Sequence, residues 1–461
     1  MSSARLSITG AQMPPAPSTG ARAYFLAALA SISMTSWADR AAFNLLAEPI
    51  RQDLQLSDTE IGLIGGLAFA ALYALLSIPI ARLAERKSRL AIMVGAVSLW
   101  SVMTMLCAAC SNFWQLAVAR AGCGVGESAC LPCSQSMISD TYPPDRRATA
   151  ISVFTLGVPV GTALGIIVGA WVAETYSWRI AFIVVGAPGL LLAILAAFTL
   201  KEPFRGRFDP PTSDIPPSLA HVVRHLWAQP AFPHLLAGAA TATMLCAGLG
   251  AFLTPLMLRG SLGLTLTDMA FIGVFLVSVG TFVGALAGGT QADRLAKRDP
   301  RWTLWLPALA FAVGAPAWTA AFLSNSVAGF VFFALIGQIA ISIFIAPLFG
   351  VLANMVEPRM RATAVAVMGV VNSLVGLGLG PVLVGTFSDF AARSFYGVSA
   401  ADCAAAASTA CAHGSYLGLR ASLVATALLF LWPAFHFLRA GSRLTEGSIA
   451  IADSRPIPSN T

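Results

Sequence analysis

The sequence RRATA at residues 146–150 recurs as RMRATA at residues 359–364, which places Arg147 and Arg361 214 residues apart. A second pair of segments, ARLAERKSR at residues 81–89 and GTQADRLAKR at residues 289–298, places the acids Glu85 and Asp293 208 residues apart. Two separate matches at nearly the same offset indicate that the chain consists of two similar halves.

Charged side chains are scarce in this chain of 461 residues. They make up 11% of it, as 28 Lys or Arg and 21 Asp or Glu, whereas about 25% is usual in soluble proteins. Hydrophobic residues make up 57%. So few charges could not cover the surface of a water-soluble domain, which excludes soluble enzymes, nucleic-acid-binding proteins and disordered proteins. The net charge of +7 does not indicate a nucleic-acid partner, because the basic residues form neither a face nor a tail.

Twelve apolar runs have the length that a membrane-spanning helix needs, about 20 residues. We predict an all-α membrane protein with twelve transmembrane helices in two six-helix, pseudo-symmetric bundles. The runs cover residues 22–47, 60–82, 90–110, 114–138, 147–172, 178–200, 233–257, 268–291, 302–323, 327–354, 362–388 and 414–438. The predicted organisation is a disordered N-terminal tail (1–21), a first bundle (22–200), a Pro-rich cytoplasmic linker (201–226), a second bundle (227–438) and a C-terminal tail (439–461).

Lys and Arg concentrate on one side of the predicted membrane. Of the 28, 21 fall in the tails and in alternate connections, five fall on the other side and two lie within runs. Cytoplasmic connections carry an excess of Lys and Arg, so both termini are predicted to be cytoplasmic.

The eight cysteines do not indicate a metal site, because no Cys/His spacing is typical of one. Six lie in apolar runs and are predicted to act as small hydrophobic residues. Cys403 and Cys411 lie in one connection on the non-cytoplasmic side, where we predict a disulfide between them. No cofactor is expected. The chain contains no phosphate-binding G-x-x-x-x-G-K-[ST] sequence, so ATP-driven transport is not expected.

Four ionisable residues interrupt the apolar runs: Asp39, Arg40, Arg120 and Glu127. An unpaired charge at the middle of a bilayer costs at least about 2.5–3.5 kcal/mol. Their distances from the ends of the runs put Asp39, Arg40 and Arg120 at a similar depth, roughly 10 Å inside the outer boundary. We therefore expect these side chains to pair with one another or to face a wet cavity.

The predicted helices of the second half have no Asp, Glu, Lys or Arg at their centres, which suits them to enclosing an apolar part of a substrate. Their few polar residues near mid-helix include Thr241, Gln338 and Asn372, which are candidates for substrate binding.

Glycines at residues 122, 124 and 126 resemble a nucleotide-binding loop. That interpretation fails because no strand precedes them, the G-x-G-x-x-G spacing is absent and they lie within an apolar run. Glycine instead lets two helices approach closely, and Gly157, Gly161, Gly165 and Gly169 repeat at four-residue spacing. Both sets are predicted to pack helices together.

The two-half pattern resembles the major facilitator superfamily over nearly the whole chain. The loop after the second run is similar to the family signature G-x-L-x-D-R-x-G-R-R, with Ala81 for the first Gly, Glu85 for the Asp and Ser88 for the second Gly. The loop after the eighth run restores Gly289 and Asp293. The resemblance implies a cytoplasmic gate of charged residues at helix ends, formed by Glu85, Arg86, Arg89, Asp293 and Arg294. The alternative is that these cations only anchor the helices at the membrane surface.

Asp39-Arg40 together with the sequence from Arg120 to Glu127 resembles the spinster branch of that superfamily, in its bacterial members. LLAEPI at residues 45–50, QLSDTEIG at residues 55–62 and FWQL at residues 113–116 add to this resemblance. The resemblance implies that Asp39 and Glu127 couple transport to protons and that Arg40 binds an anionic headgroup. We also take Arg120 as a candidate for both roles, and Asp39 and Glu127 as candidates for contacting substrate.

The expected function is therefore proton-coupled secondary transport of amphipathic anions by alternating access, with lysolipids or sphingosine-1-phosphate-like molecules as the implied substrates. The alternative is transport of small water-soluble organic anions or drugs on the same fold. An enzyme is not expected, because the five His residues lie near run ends or in loops and form no catalytic constellation. A channel is disfavoured, because rings of charge are absent. The expected partners are the lipid bilayer, protons and the substrate, and we expect a monomer in a bacterial inner membrane.

Overall fold

The computed structural model describes residues 18–208, 218–260, 263–357, 360–397 and 409–453. Within these ranges the chain forms helices and connecting loops and no β-strand. Ten of the described helical stretches are long and apolar enough to cross a membrane. Two further stretches, which carry the four embedded charges, fall outside that set.

The first half contains six long helical stretches, each close to a predicted run. They are α1 (Thr19–Asp53), α2 (58–86), α3 (Arg89–Cys107), α4 (Phe113–Glu127 and Cys130–Thr141), α5 (Pro144–Thr155 and Gly157–Thr175) and α6 (Trp178–Thr199). The segment predicted as a linker contains a helix of its own, α7 (Leu219–Trp227).

The second half repeats this arrangement. It comprises α8 (Phe232–Arg259), α9 (Leu266–Ala296), α10 (Trp302–Leu323), α11 (Val327–Asn354), α12 (361–396) and α13 (Thr409–Leu428 and Leu431–Asp453). The last helix extends beyond the predicted run 414–438 into the segment predicted as a tail.

The helix starts carry the internal repeat in their capping residues. In α2 the Ser57 hydroxyl caps the N–H of Glu60, whose carboxylate accepts from the Ser57 N–H. In α9 Thr265 and Asp268 make the same reciprocal pair, 208 residues further on. Such a pair satisfies two N–H groups that the first helical turn leaves unbonded, so it fixes where each helix begins.

Corresponding helices of the two halves are interrupted at corresponding places. π-Helical turns occupy Leu63–Ala68 in α2, Leu276–Gly280 in α9 and Asn372–Gly378 in α12. The helical segments of α4 are separated at residues 128–129, and those of its counterpart α11 at residues 343–344. A π-helical turn inserts a wider ring into the backbone hydrogen bonds and is often found at functional sites.

Glycine packs helices together both within and between the halves. A β-carbon at Gly161 or Gly165 would overlap the carbonyl oxygens of Met34 or Ala38 on α1, so the predicted packing role of the α5 glycines is confirmed. Between the halves, Gly62 of α2 lies against the carbonyl oxygen of Pro381 on α12. Only a residue without a side chain permits such backbone contact.

Candidate functional site

The four embedded charges form two ion pairs between α1 and α4, which is one of the two arrangements expected from the sequence. Nη1 of Arg120 donates to Oδ2 of Asp39 at 2.9 Å. Nε of Arg40 donates to Oε2 of Glu127 at 2.6 Å. Arg120 and Glu127 are seven residues apart, about two helical turns, so neighbouring residues of α1 reach different levels of α4. Ser36 adds a third hydrogen bond to Oε2 of Glu127, at 2.6 Å.

Aromatic rings surround the two guanidinium groups. The Arg40 group lies 4.6 Å from the ring centre of Phe69 and 5.0 Å from that of Tyr73, both on α2. The Arg120 group lies 4.6 Å from the ring of Phe43 and 5.3 Å from that of Phe69. The face of an aromatic ring attracts a cation, so Phe69 stabilises both arginines and connects the two pairs through α2. Phe69 immediately follows the π-helical turn of that helix.

Each of the two carboxylates keeps one oxygen outside its ion pair. Oδ1 of Asp39 and Oε1 of Glu127 are buried and accept no hydrogen bond from any described residue. The Nε of Arg120 is also buried, and it donates no hydrogen bond to any described residue. Buried polar atoms without a partner are rare in folded proteins, so these two oxygens are chemically available to a proton or a ligand.

The two pairs differ in their exposure. The side chains of Arg120 and Asp39 are 2% and 3% exposed, and that of Glu127 is fully buried. The side chain of Arg40 is 18% exposed, which makes it the member of the site that a solute can reach. An anion entering this region would therefore meet Arg40 before either carboxylate.

A cavity of about 310 Å³ lies between the two halves, beside Arg40 along α1. The lining includes Ala41, which follows Arg40 directly, and Asn44, which lies one helical turn after Arg40. Its other walls come from α5, α8, α9, α10 and α11, and most of them are apolar. Such a cavity can hold the apolar part of a molecule whose charged end lies near Arg40.

The three polar candidates of the second half occupy different places. Gln338 lines the cavity and donates to the hydroxyl of Thr281 at 3.2 Å. The hydroxyl of Thr241 bonds to the carbonyl oxygen of Ala237 in its own helix. Asn372 begins the π-helical turn of α12, and its buried Oδ1 has no partner among the described residues. Of these three, Gln338 is the one that lines the cavity.

The predicted gate residues lie at one end of the molecule, which we call the basic end. Arg89 donates to Ser136 and Asp140 of α4 and, at 2.7 Å, to Glu202 after α6. Burial tends to raise the pKa of Glu202, but the Leu90 N–H and the Arg89 guanidinium outweigh it and hold that pKa below its ordinary value. These contacts of Arg89 lie within the first half, and its gating role stays a prediction.

The other gate candidates are less constrained. Arg86 is exposed at the end of α2, and Asp293 and Arg294 are exposed near the end of α9. The side chain of Glu85 lies outside what the structure describes.

At the opposite end, a cluster of charges that the sequence analysis missed joins the two halves. Arg259, at the end of α8, donates to Asp58 at 2.6 Å and to Glu48 at 2.8 Å. Asp389 of α12 accepts hydrogen bonds from the N–H and hydroxyl of Thr59, at 2.8 and 2.6 Å. Because these bonds run from α1 and α2 to α8 and α12, they hold the halves together at this end.

A second contact between the halves lies at the same end. The backbone N–H of Thr267, at the start of α9, donates to Glu174 near the end of α5 at 2.9 Å. The hydroxyl of Thr267 donates to the same carboxylate. We use the name inter-half lock for all of these bonds between the halves. They are the bonds of Arg259 to Asp58 and Glu48, of Thr59 to Asp389, and of Thr267 to Glu174.

The described cysteines differ in their oxidation state. Six, all within or beside helices, are free. Cys411 is bonded in a disulfide, whereas its predicted partner Cys403 lies outside the described residues.

Comparisons with known proteins agree with this architecture. The profile of the Major Facilitator Superfamily matches residues 29–381. An MFS-type efflux pump of Mycolicibacterium smegmatis is 32% identical over 364 residues, which cover 78% of this chain and 83% of the pump. Protein spinster homolog 1 of Xenopus tropicalis is 29% identical over 378 residues, which cover 78% of this chain and 71% of that protein.

Solved structures give the same result. The crystal structure of a bacterial homolog of the human lysosomal transporter spinster, inward-facing and unoccupied, is 30% identical and superposes with a TM-score of 0.85. The match covers 96% of this chain and all of that one. The fold, the embedded ion pairs and these matches lead to one conclusion: the chain belongs to the major facilitator superfamily and is a membrane transporter of the spinster type.

Proposed function

We propose that the chain is a proton-coupled secondary transporter of an amphipathic anion, of the lysolipid or sphingosine-1-phosphate type. The observation that carries this proposal is the pair of buried ion pairs, in which only Arg40 is reachable while Glu127 has a free oxygen. The mostly apolar walls of the cavity beside Arg40 support the choice of an amphipathic substrate. We further propose a monomer in a bacterial inner membrane, with the basic end and both termini in the cytoplasm.

The proposed cycle begins when the anionic group of the substrate binds the guanidinium of Arg40 and displaces Glu127. A carboxylate without its cation in an apolar core is costly, so Glu127 takes up a proton and becomes neutral. The Asp39–Arg120 pair keeps α1 and α4 in register during the exchange. The neutral site can then be carried between the two orientations of the halves without exposing an unpaired charge to lipid.

The inter-half lock is the proposed closure on the non-cytoplasmic side, so this structure would correspond to an inward-facing state. The likeness to an inward-facing bacterial spinster homolog supports that assignment. Opening to the other side would require Arg259 to leave Asp58 and Glu48, since each bond joins one half to the other.

A second candidate function is transport of a small water-soluble organic anion or drug. Two observations favour it. The cavity of about 310 Å³ is at the lower end of the usual size for ligand pockets, roughly 300–1,000 Å³. One relative is an efflux pump, which also makes export a reasonable direction of transport.

Transport by purified protein in liposomes tests the first proposal. With a pH gradient as the driving force, wild-type protein should accumulate fluorescent lysophosphatidylglycerol. Glu127→Gln cannot exchange a proton, so it should lose pH-driven accumulation while retaining substrate exchange at equal pH. Asp53→Asn is the matched control, because it removes an exposed acid paired with Arg179 within the first half.

The outcomes separate the two candidates. If Glu127→Gln accumulated the lipid as well as wild-type protein does, the proposal that Glu127 couples transport to protons would be wrong. Accumulation of glycerol 3-phosphate but not of its acylated form would favour the small soluble anion.

A further inference from the structure

A second cavity, of about 510 Å³, lies at the basic end of the first half. It is formed where the start of α1, the end of α4 and the segment after α6 meet. It shares no residue with the four embedded charges or with the cavity between the halves. It is therefore a separate cavity from the proposed transport site.

The lining of this cavity is positively charged on balance. Arg22, Lys201 and Arg207 contribute three cations. Its two acids, Asp140 and Glu202, both bind Arg89, which lies outside the lining. Because Arg89 neutralises much of their charge, the cations of the lining attract an anion.

Arg22 provides an unused donor at this cavity. Its Nε is buried and bonds to no described residue. Arg22 also lies in the first turn of the 35-residue helix α1, where the aligned peptide dipoles add positive potential. Both features stabilise a bound anion, and phosphate is a group that both arginine and a helix start bind.

The cavity is also bordered by aromatic side chains at the level where a membrane surface is expected. Tyr24 and Phe204 line it and are 43% and 45% exposed, and the Tyr24 hydroxyl lies 2.7 Å from that of Thr199. The amphipathic ring of tyrosine favours the interface between headgroups and acyl chains, and the apolar ring of Phe204 can contact an acyl chain. A ligand with a phosphate and an apolar tail would match both parts of this wall.

We propose that this cavity binds a phosphate-bearing anion, and that its source is the headgroup of an acidic phospholipid of the adjacent leaflet. Assignment to the cytoplasmic leaflet rests on the proposed orientation, whereas binding itself does not. Basic pockets between helices on the cytoplasmic side of membrane proteins suit such headgroups.

The second half offers an internal comparison at the equivalent position. A cavity of about 250 Å³ lies between the starts of α8 and α10, the end of α11 and α13. Its one charged lining residue, Arg443, donates to the carbonyl oxygen of Pro230 at 3.4 Å. Removing Arg443 changes the charge of the protein by the same amount as removing Arg22, at the matching place in the other half.

Native mass spectrometry of the full-length protein in detergent measures the binding. Phosphatidylglycerol should bind more tightly than phosphatidylcholine with the same acyl chains. Arg22→Gln and Lys201→Gln should each weaken phosphatidylglycerol binding by about fivefold, as expected for one cation near a lipid surface. Arg443→Gln should leave the affinity unchanged, and Arg22→Lys should retain most of it even where Arg22→Gln folds poorly.

Three results are decisive. Equal affinity of Arg22→Gln, Lys201→Gln and Arg443→Gln for phosphatidylglycerol would overturn the site. Equal binding of phosphatidylglycerol and phosphatidylcholine would overturn its selectivity for an anion. Competition by glycerol 3-phosphate at the same concentration would support the phosphate site but overturn the lipid as its source.

Discussion

Asp39 and Glu127 are both embedded acids paired with arginine, yet their surroundings give them different tasks. The Asp39–Arg120 pair is sealed from solvent on both sides, whereas the partner of Glu127 is partly exposed. A pair that no solute reaches is suited to holding helices together, and a pair with one reachable member is suited to exchange. The sequence predicted that the four charges would pair with one another or face a wet cavity, because isolated charges are too costly. It could not assign the partners, because Arg120 and Glu127 are seven residues apart on one face of α4, so each arginine could pair with either acid.

Removing Asp39 alone should destabilise the protein strongly. Asp39→Asn leaves the buried Arg120 without its anion, and breaking a buried pair in this way costs about 3–5 kcal/mol. The melting temperature in detergent should therefore fall clearly. The exposed Asp53–Arg179 pair is the control, because Asp53→Asn should cost at most about 1 kcal/mol.

The double variant Asp39→Asn/Arg120→Gln distinguishes charge from packing. It leaves no unpaired charge, so it should melt above Asp39→Asn alone. If the two substitutions instead destabilise additively, the pair contributes through shape and not through charge.

At the scale of helices, glycines set which contacts are permanent and which can open. The α1–α5 contact through Gly161 joins two helices of the same half, whereas the α2–α12 contact through Gly62 joins different halves. The four-residue glycine spacing predicted that α5 packs closely against another helix, but it did not identify α1 as the partner. The π-helical turns were not predicted, because an apolar run has the same appearance whether its hydrogen bonds span four residues or five.

Substituting these glycines should have different effects. Gly161→Ala overpacks a contact present in every state and should lower stability by about 1–3 kcal/mol. Gly62→Ala overpacks only the closed contact, so the halves can relieve it by separating. Thermal melting and accessibility of Cys246, which lines the cavity between the halves, report these two effects.

Gly95→Ala is the control, because nothing lies within 4 Å of the added β-carbon. It should change neither measurement. Equal loss of stability in Gly62→Ala and Gly161→Ala, without increased accessibility of Cys246, would contradict this distinction.

At the scale of the whole molecule, the inter-half lock determines which end is closed. The two halves themselves could be predicted, because two motifs repeat at nearly one offset. The lock could not, because charges at helix ends are common and nothing links Asp58 to Arg259, 201 residues away. The sequence analysis counted Arg259 only as one of five cations on the predicted non-cytoplasmic side of the membrane.

Removing Arg259 should open that end. Arg259→Gln removes the cation through which the second half binds Glu48 and Asp58, which both belong to the first half. The two buried acids then keep Arg51 as a cation within 4.0 Å, and hydration of their carboxylates favours separation of the halves. We expect labelling of Cys246 by a membrane-impermeant maleimide to rise about tenfold, a shift of about 1.4 kcal/mol in the equilibrium. The measurement uses cells that express the protein with its other five free cysteines replaced by alanine.

Arg179→Gln is the matched control, because Arg179 lies at the same end and binds Asp53 within the first half. Its labelling should equal that of the parent protein. Equal labelling of Arg259→Gln and Arg179→Gln would show that the cluster does not hold the halves together.

The balance of two cations and two anions at the centre of the first half has an electrical consequence. In the proposed cycle, a monovalent anion and one proton enter together, so each turnover carries no net current. A voltage of 100 mV does about 2.3 kcal/mol of work on each charge that crosses a membrane, and here that work is zero. Short-circuiting the liposomes with a potassium ionophore would then leave the rate for a singly charged lipid unchanged. It would speed uptake of a doubly charged lipid, because each turnover then moves one net charge and otherwise builds up an opposing voltage.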